Sequence, residues 1–393
     1  MIWLGLLACL AWAVLLLGRG FFWRARDDDS DAARLPDPAG WPAVCAIIPA
    51  RDEAETVAAT VRSLVAQDYP GSLRIVVVDD RSADATGAQA LAAGAEVVTG
   101  TAKPPDWSGK LHALQQGLDA VAGGAHEFLL FTDADITHAP DSLRRLVQRA
   151  VSRELDLVSL MARLRCETAA ERWLIPAFVF FFQMLYPFRW SNDPRARTAA
   201  AAGGCVLVRR VAFEARGGLA PIRGRIIDDC GLAALMKAAA PDDRSAAARA
   251  GPNRSGKGAG GRIWTGLTER VHSLRAYEGI GAIRVMVART AYAQLGYKPL
   301  LLLGMVMALG LVFLAPPLLA IFATGAAKVL GILAWAAMVV AYVPTLRRFG
   351  LLPERAILLP LITATYLAFT LDSAWAEWRG RGGLWKGEAL KRK

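Results

Sequence analysis

The chain has 393 residues, of which 54% are hydrophobic, and its mean hydropathy of +0.31 is too high for a purely soluble protein. Its net charge of +11 fits loops that contact anionic lipid, and the absence of any RNP, zinc-finger or basic-aromatic pattern excludes nucleic acid as the partner. The five cysteines are odd in number and form no CxxC pair, which excludes a disulfide framework and a zinc site.

The first apolar segment is Ile2–Gly18, which contains no charge and no convincing cleavage site. We interpret it as a retained membrane anchor within 1–20, although a cleaved signal peptide is the alternative. Three arginines follow this segment closely, so the positive-inside rule places the residues after it in the cytoplasm. The next segment, 21–42, is rich in Asp and Pro and is predicted to be a polar tether.

From residue 43 onward, short apolar runs alternate with helical patterns. Strands are predicted at 43–48, 74–78 and 128–131, with a weaker strand at 96–98 and another at 155–160. The intervening helices include one opening at Arg51-Asp52-Glu53, with Val57, Val61, Leu64 and Val65 on its inner face. This alternation predicts an α/β fold, in which a doubly wound, mostly parallel sheet is covered by helices on both faces.

Acidic side chains follow two of these strands at the point where each strand ends. Asp79 and Asp80 come after the second strand, and Asp133 and Asp135 come after the FLLF strand. Ligands of parallel sheets bind at the carboxyl ends of the strands, and paired carboxylates suit Mg²⁺ or Mn²⁺ completed by water and nucleotide phosphates. The sequence therefore predicts a site for a metal and a nucleotide, with solvated loop residues or helix caps as the alternative.

The aromatic segment 173–190 is interrupted by prolines, and we interpret it as an interfacial helix, with a buried core helix as the alternative. Three further apolar runs of near-spanning length occupy roughly 299–324, 329–346 and 356–374. The predicted divisions are an α/β domain at 43–237, a flexible insertion at 238–261, an interfacial segment at 262–298, a C-terminal transmembrane region at 299–375 and a basic tail at 376–393.

Six short segments, in this order and spacing, resemble the family 2 glycosyltransferases of the GT-A fold. They are IIPARDE at 47–53, VDDRSADAT at 78–86, GK at 109–110, DAD at 133–135, GGCVLVRR at 203–210 and IDDCGL at 227–232. The chain is also similar to the hopanoid-biosynthesis-associated (hopene-associated) membrane glycosyltransferases. That second similarity rests on RIWTGLTERVHSLRAY at 262–277 and WRGRGGLWKG at 378–387.

The resemblance implies a role for each matching residue. Asp52 and Asp80 would face the nucleoside, Lys110 would lie near the diphosphate, and Asp133 and Asp135 would bind the divalent cation, Mg²⁺ or Mn²⁺. The remaining members of the predicted donor-binding set are Pro49, Arg51, Glu53 and Asp79. Lys110 could also be only a solvated residue at a helix start, because a lysine there is unfavourable without an anion.

In the last motif, Asp229 would be the general base, and Asp228 stands where the family usually has glutamate. A single carboxylate base implies one displacement, with inversion at the anomeric carbon. The QxxRW motif of processive synthases is absent, which disfavours a polymerising enzyme. Glu388 replaces an arginine that follows WKG in similar tails.

The sequence thus predicts a membrane-anchored, metal-dependent, inverting glycosyltransferase that moves a sugar from a UDP-linked nucleotide-sugar to a lipid acceptor, a hopanoid. The predicted location is the bacterial inner membrane, with the catalytic domain in the cytoplasm and other lipid-biosynthesis enzymes as further partners. Two alternatives stay open. A sugar-nucleotidyltransferase would need no membrane spans, and an inactive scaffold would have kept the fold without the activity.

Overall fold

The computed structural model describes residues 1–239 and 260–380, together with the short strands Leu384–Trp385 and Glu388–Ala389. The predicted flexible insertion falls almost entirely outside the described residues, as does half of the basic tail, with Lys386 and Gly387 of its WKG motif. The described chain divides into two compact units. The helical unit comprises Met1–Arg26, Arg165–Arg189 and Ala276–Leu384, and the sheet unit includes Asp27–Leu164 and Trp190–Arg275.

The sheet unit contains one eight-stranded sheet, whose order is β3-β2-β1-β4-β7-β6-β8-β5. Its strands are β1 (Val44–Ala50), β2 (Leu73–Asp79), β3 (Glu96–Thr99), β4 (Phe128–Thr132), β5 (Ile136–His138), β6 (Leu157–Arg163), β7 (Cys205–Arg209) and β8 (Ile263–Ser273). Four of the seven neighbouring pairs are parallel. This mixed, mostly parallel sheet confirms the predicted α/β class, and β8 shows that the sheet continues beyond the predicted domain boundary at residue 237.

The α-helices are α1 (Ile2–Ala13), α2 (Val57–Val65), α3 (Thr86–Ala92), α4 (Gly109–Ala120), α5 (Ser142–Ser152), α6 (Ala169–Leu185), α7 (Phe188–Ser191), α8 (Arg210–Glu214), α9 (Asp228–Lys237), α10 (Gly279–Gln294), α11 (Pro299–Leu309), α12 (Ala315–Phe322), α13 (Gly325–Arg348) and α14 (Leu359–Trp378). All five cysteines are unpaired, as the sequence predicts.

Strand β1 shows how the sheet is covered on both faces. Every residue of β1 is buried, and successive side chains enter two different cores. Ala46 and Ile48 pack in one core with α2 and α5, whereas Cys45 and Ile47 pack in the other with α4. A parallel strand buried on both faces reads as a continuous apolar run, which is why the sequence predicts β1 correctly.

The helix after β1 begins later than predicted. Asp52 has a φ of 51°, in the left-handed region, and the chain turns there before α2 begins at Val57. A residue in that conformation cannot continue a right-handed helix, so the prediction that the helix opens at 51–53 is wrong. Val65, predicted on the inner face, is 57% exposed at the end of α2.

The segment predicted as a polar tether packs along the sheet unit from Asp27 onward. The Asp29 N–H donates to Leu267 O (3.1 Å) beside β8, and the Asp31 carboxylate pairs with Arg149 of α5. Arg149 is 2% exposed and lies over the ring of Trp264, 3.8 Å from its centroid. The aspartates of this segment therefore neutralise arginines of the fold.

Three helical segments of the helical unit are long and apolar enough to cross a membrane. They are Pro299–Phe322, Gly325–Arg348 and Pro353–Trp378, with mean hydropathies of 2.4, 2.0 and 1.5, and they match the three predicted apolar runs. The N-terminal helix Ile2–Gly18 is shorter. Its length, about 25 Å at about 1.5 Å per residue, falls below the ~30 Å hydrocarbon core, so the predicted N-terminal span is short.

Most of the aromatic segment lies in α6, which continues through Pro176, and its last residues lie in the short helix α7. The start of α6 is fixed by a capping box between Thr168 and Glu171. Phe180 packs edge-on against Tyr342, with ring centroids 5.3 Å apart. One face of α6 is therefore buried within the helical unit, as in the buried-helix alternative, and its position at a membrane interface stays a prediction.

Candidate active site

An open cavity of about 350 Å³ lies in the sheet unit where β1 and β4 end. Pro49 of β1 and Thr132 of β4 form part of its wall, and Lys110 enters from the first turn of α4. Asp133, Gly203, Asp228 and Asp229 complete its polar lining. Five residues of the predicted site are thus brought together: Pro49, Lys110, Asp133, Asp228 and Asp229.

Lys110 is held between two carboxylates. Its Nζ lies 2.7 Å from Asp133 Oδ1 and 3.3 Å from Asp228 Oδ2. Burial lowers the pKa of Lys110, but the two aspartates outweigh it, so the pKa is raised and the ammonium stays charged. Ser108 caps α4 by accepting from the Leu111 N–H at 3.3 Å. Lys110 is therefore not a solvated residue at a helix start, because the anions that favour it there are present.

Asp229 lies in the first turn of α9 and bonds through both oxygens. Oδ1 accepts from the Cys230 N–H at 2.7 Å, and Oδ2 accepts from the Gly203 N–H at 3.0 Å. Burial and, next, the charge of Asp228 raise the pKa of Asp229 to about 6, against the opposing N–H groups and Lys110. Burial, which a sequence does not reveal, makes the largest contribution to this raised pKa.

The two carboxylates of the DAD segment each contact one cation of the chain. Asp133 Oδ1 binds Lys110, and Asp135 Oδ2 lies 2.7 Å from Arg275 Nε. Arg275 also reaches Glu53, with Nη2 2.7 Å from Oε1. Sequence reasoning missed Arg275 as a site residue. The available signal was its place in the segment 262–277, which carries part of the resemblance.

Each aspartate of the DAD segment has a second carboxylate oxygen that these ion pairs do not use, and these oxygens fit a divalent cation. Asp133 Oδ2 and Asp135 Oδ1 have no partner among the residues that the structure describes. Within the same described ranges, no group of three or more His, Cys, Asp or Glu side chains is arranged to hold a metal. Two hard oxygen donors therefore suit a cation whose other ligands come from water and a bound diphosphate.

A second polar group lies at the end of β2. Asp80 is 2% exposed, with Arg51 Nη1 3.7 Å from Oδ2 and Arg81 Nε 3.6 Å from Oδ1. Gly100 packs directly against it, since a Cβ there would lie 2.9 Å from Asp80 Cα. Asp80 is therefore a buried, positively flanked carboxylate beside a backbone that only glycine allows.

Two other predicted residues hold the loop after β2. The Ala83 N–H donates to Asp52 Oδ1 at 2.8 Å, and the Ser82 N–H donates to Asp79 Oδ1 at 3.0 Å. Asp79 therefore accepts a hydrogen bond from the loop at the end of its own strand. The predicted site residues that do not line the cavity are Arg51, Asp52, Glu53, Asp79, Asp80 and Asp135.

Comparisons with known proteins match this arrangement. Residues 45–217 match the profile described as Glycosyl transferase family 2. These residues form a family 2 glycosyltransferase domain. The match covers β1 through β7 and includes Lys110 and both aspartates of the DAD segment, while Asp228 and Asp229 lie beyond its end.

Two relatives of the family 2 domain are N-acetylglucosaminyltransferases. The protein from Mesorhizobium japonicum is 28% identical over 188 residues, which are 45% of this chain and 42% of that protein. The protein from Rhizobium leguminosarum bv. viciae is 28% identical over 181 residues, 44% of this chain and 40% of that protein. The chain thus spans less than half the length of either relative.

Among solved structures, the chain is similar to the mannosyltransferase PcManGT from Pyrobaculum calidifontis, in complex with GDP-Man and Mn²⁺. The TM-score is 0.53 at 20% identity, over 96% of this chain and 99% of that one. This likeness shows the fold alone, and it places the family 2 domain in the GT-A class.

Proposed function

We propose that the protein is a membrane-bound, metal-dependent, inverting glycosyltransferase that transfers a sugar from a nucleoside-diphosphate donor to a lipid acceptor. One observation carries the proposal. Lys110, Asp133, Asp228 and Asp229 come from three separate elements of the family 2 domain and its continuation, yet they line one cavity at the strand ends. A fold without transfer activity would not need a half-buried, charged lysine among three carboxylates, since taking each charge partly out of water costs free energy.

Asp229 is the group that removes the proton from the acceptor hydroxyl. As the acceptor oxygen bonds to the anomeric carbon, its proton passes to Asp229 and the bond to the leaving diphosphate breaks. A base with a pKa of about 6 is ionised at neutral pH and still basic enough to take a proton. The single displacement inverts the anomeric carbon.

Lys110 faces the charge that develops on the leaving group. Its raised pKa keeps the ammonium protonated, and a fixed positive charge in a partly enclosed cavity stabilises a developing diphosphate anion. Asp133 and Asp135 would hold the divalent cation, which supplies further neutralisation of the diphosphate when bound. Arg275 orients Asp135, because Nε holds Oδ2 and leaves Oδ1 for the cation.

For the donor, we propose a UDP-linked sugar held with Asp80 and Arg51 near the nucleoside. The N-acetylglucosaminyltransferase relatives support an N-acetylhexosamine as the first sugar to test. GDP-mannose is the comparison donor, because the PcManGT structure contains it.

For the acceptor, we propose a lipid and, more narrowly, a hopanoid. The lipid is supported by three helices that are apolar and long enough to cross a membrane, in the same chain as the family 2 domain. The hopanoid rests on the resemblance of 262–277 and 378–387 alone. The arginines after Ile2–Gly18 favour a cytoplasmic domain on the bacterial inner membrane.

The deciding experiment incubates membranes that contain the full chain with radiolabelled UDP-N-acetylglucosamine, UDP-glucose or GDP-mannose, and then extracts the lipid. We expect label in the lipid with one UDP-sugar, Mn²⁺ or Mg²⁺ being required. Membranes that contain Asp229→Asn are the matched control. Label that enters lipid equally with Asp229→Asn, or no label with any donor while the chain is folded, would overturn the proposal.

A further inference from the structure

The helical unit contains a second cavity, of about 520 Å³, that the proposed sugar transfer does not use. Its walls come from α6, α13 and the apolar segment Pro353–Trp378. None of its lining residues lines the active-site cavity. Ligand sites are typically lined by apolar side chains with a small number of polar groups among them.

Most of the wall of this cavity is apolar. Leu346 and Ile362 form its inner part and are buried, whereas Leu361 is 55% exposed at its open side. Leu361 lies within a segment that is long and apolar enough to cross a membrane. In a bilayer, the open side would therefore face acyl chains, and a chain could enter the cavity laterally without crossing water.

Two hydrogen-bond donors of the cavity wall have no partner within the described part of the chain. They are Trp173 Nε1 and Tyr342 Oη, and both atoms are buried. Tyr342 is 0% exposed, and its ring packs on Phe180 of α6. Buried N–H and O–H groups are nearly always hydrogen-bonded, so these two donors point to a ligand that carries acceptor oxygens.

Two positive charges lie in the same wall. Arg172 of α6 and Arg355 both line the cavity, and neither forms an ion pair with any residue that the structure describes. Helix α13 also ends with arginines, Arg347 and Arg348. Tyr342 is six residues before the end of α13, about 9 Å along the helix axis. The cavity therefore combines a positively charged end, neutral donors deeper inside and an apolar wall.

We propose that this cavity binds a phospholipid with an anionic head group and ester-linked acyl chains. Guanidinium groups bind phosphate through charge-assisted hydrogen bonds, so Arg172 and Arg355 hold the phosphate. The ester carbonyls lie below the phosphate and accept from Trp173 Nε1 and Tyr342 Oη. The acyl chains follow the apolar wall at Leu361. This binding does not depend on the proposed sugar transfer.

The test uses the full chain purified in detergent and native mass spectrometry with an equimolar mixture of defined lipids. The mixture contains dioleoyl phosphatidylglycerol, its diether analogue and dioleoyl phosphatidylcholine. For the wild-type chain, we expect one phosphatidylglycerol retained about tenfold over phosphatidylcholine, and the ester form retained over the diether form. Inorganic phosphate at millimolar concentration should not displace it, which separates a lipid from a free phosphate.

Substitutions in the cavity wall test the role of each part of the proposed phospholipid site. The double variant Arg172→Gln/Arg355→Gln should lose the preference for phosphatidylglycerol over phosphatidylcholine. The control Arg289→Gln/Lys298→Gln removes the same charge from the helical unit outside the cavity and should keep that preference.

Tyr342→Phe keeps the ring and removes one of the donors. It should keep the preference for the anionic head group and lower the retention of the ester form relative to the diether form. Equal retention of all three lipids by the wild-type chain, displacement by inorganic phosphate, or an unchanged ester preference in Tyr342→Phe would overturn the proposal. The last comparison holds even where the double arginine variant fails to fold.

Discussion

Replacing Asp229 by Asn removes one charge from the active-site cavity and keeps the size of the side chain. The carboxylate accepts from the Gly203 and Cys230 N–H groups, one through each oxygen. An amide has a single acceptor oxygen, so one of these two N–H groups loses its partner in Asp229→Asn. That loss costs about 1–3 kcal/mol of the free energy of unfolding.

The same substitution also removes the free-energy cost of keeping the Asp229 carboxylate ionised in the folded state. The pKa of Asp229 is raised from 3.8 to about 6, and about 2 pKa units correspond to about 3 kcal/mol. Because the unfolded carboxyl ionises first, the folded state loses this stability as pH rises from about 4 to about 6. At neutral pH the relief and the lost hydrogen bond offset each other, so the free energy of unfolding should change by less than about 2 kcal/mol.

Activity should change far more than stability. An amide does not accept a proton, and the loss of a general base lowers the rate by about 10²–10⁴-fold. We expect Asp229→Asn to lose sugar transfer by at least about 10²-fold while donor-nucleotide binding and the melting temperature stay near wild type. If Asp229 only capped α9, Asn would be an equally good residue and transfer would be nearly unchanged.

The pH profile tests the cause of the raised pKa. Since a base acts only when deprotonated, wild-type kcat/KM should fall below about pH 6, and kcat/KM reports the free enzyme. Asp228→Asn removes the neighbouring negative charge, so the pKa of Asp229 and the acidic limb of the profile should both move to lower pH. An acidic limb that stays at the same pH or moves to higher pH in Asp228→Asn would refute this reasoning.

Four further outcomes are expected. Asp135→Asn should abolish transfer in a folded protein, and EDTA should abolish wild-type transfer until Mn²⁺ or Mg²⁺ is restored. Asp31→Ala should lower the free energy of unfolding by about 1–3 kcal/mol in urea titrations, because Arg149 stays buried without its carboxylate. Replacement of 240–259 by a Gly-Ser linker should leave expression and turnover near wild type. A cysteine added after Lys393 should resist membrane-impermeant thiol reagents in intact cells, because the basic tail favours the cytoplasm and one apolar segment is then re-entrant.

The structure determines why the linker replaces 240–259 and not the whole predicted insertion. The sequence predicts a dispensable insertion at 238–261, but its two ends are packed. Ala238 O accepts from Arg216 Nε at 3.2 Å. Gly261 is buried so closely against Met236 that a Cβ there would lie 2.0 Å from its carbonyl oxygen. Composition shows that the segment lacks a core of its own, yet it cannot show where the chain rejoins the fold.

The sequence correctly predicts those strands whose local pattern of apolar and polar residues is sufficient to identify them. The runs of β1, β2 and β4 are continuously apolar and end abruptly in polar residues, as buried parallel strands do. For the residues of β8, by contrast, the sequence predicts an interfacial segment at 262–298 and no strand. Its pairing with β6 joins residues separated by about a hundred positions, Leu157 with Ile263 among them. No local pattern specifies a partner at that separation.

The residues of the candidate site also fall into two groups, those that local motifs predict and those that depend on the complete fold. Short motifs locate Asp133 and Asp229 in sequence, and strand ends bring such residues to one edge of a sheet. Arg275 binds Asp135 across 140 residues and Glu53 across 222 residues. Such an ion pair follows from the complete topology, in which β8 passes beside β5, and not from the spacing of any motif.

The charges around the cavity explain why a divalent cation suits this site. Asp133, Asp135, Asp228 and Asp229 carry up to four negative charges when ionised, whereas Lys110 and Arg275 supply two positive charges. A diphosphate would add further negative charge to the same place, and like charges at short range repel more strongly in a partly enclosed cavity than in water. Two protein cations are too few to neutralise both the aspartates and a bound diphosphate. Binding of the donor and binding of a divalent cation should therefore be thermodynamically linked, each strengthening the other.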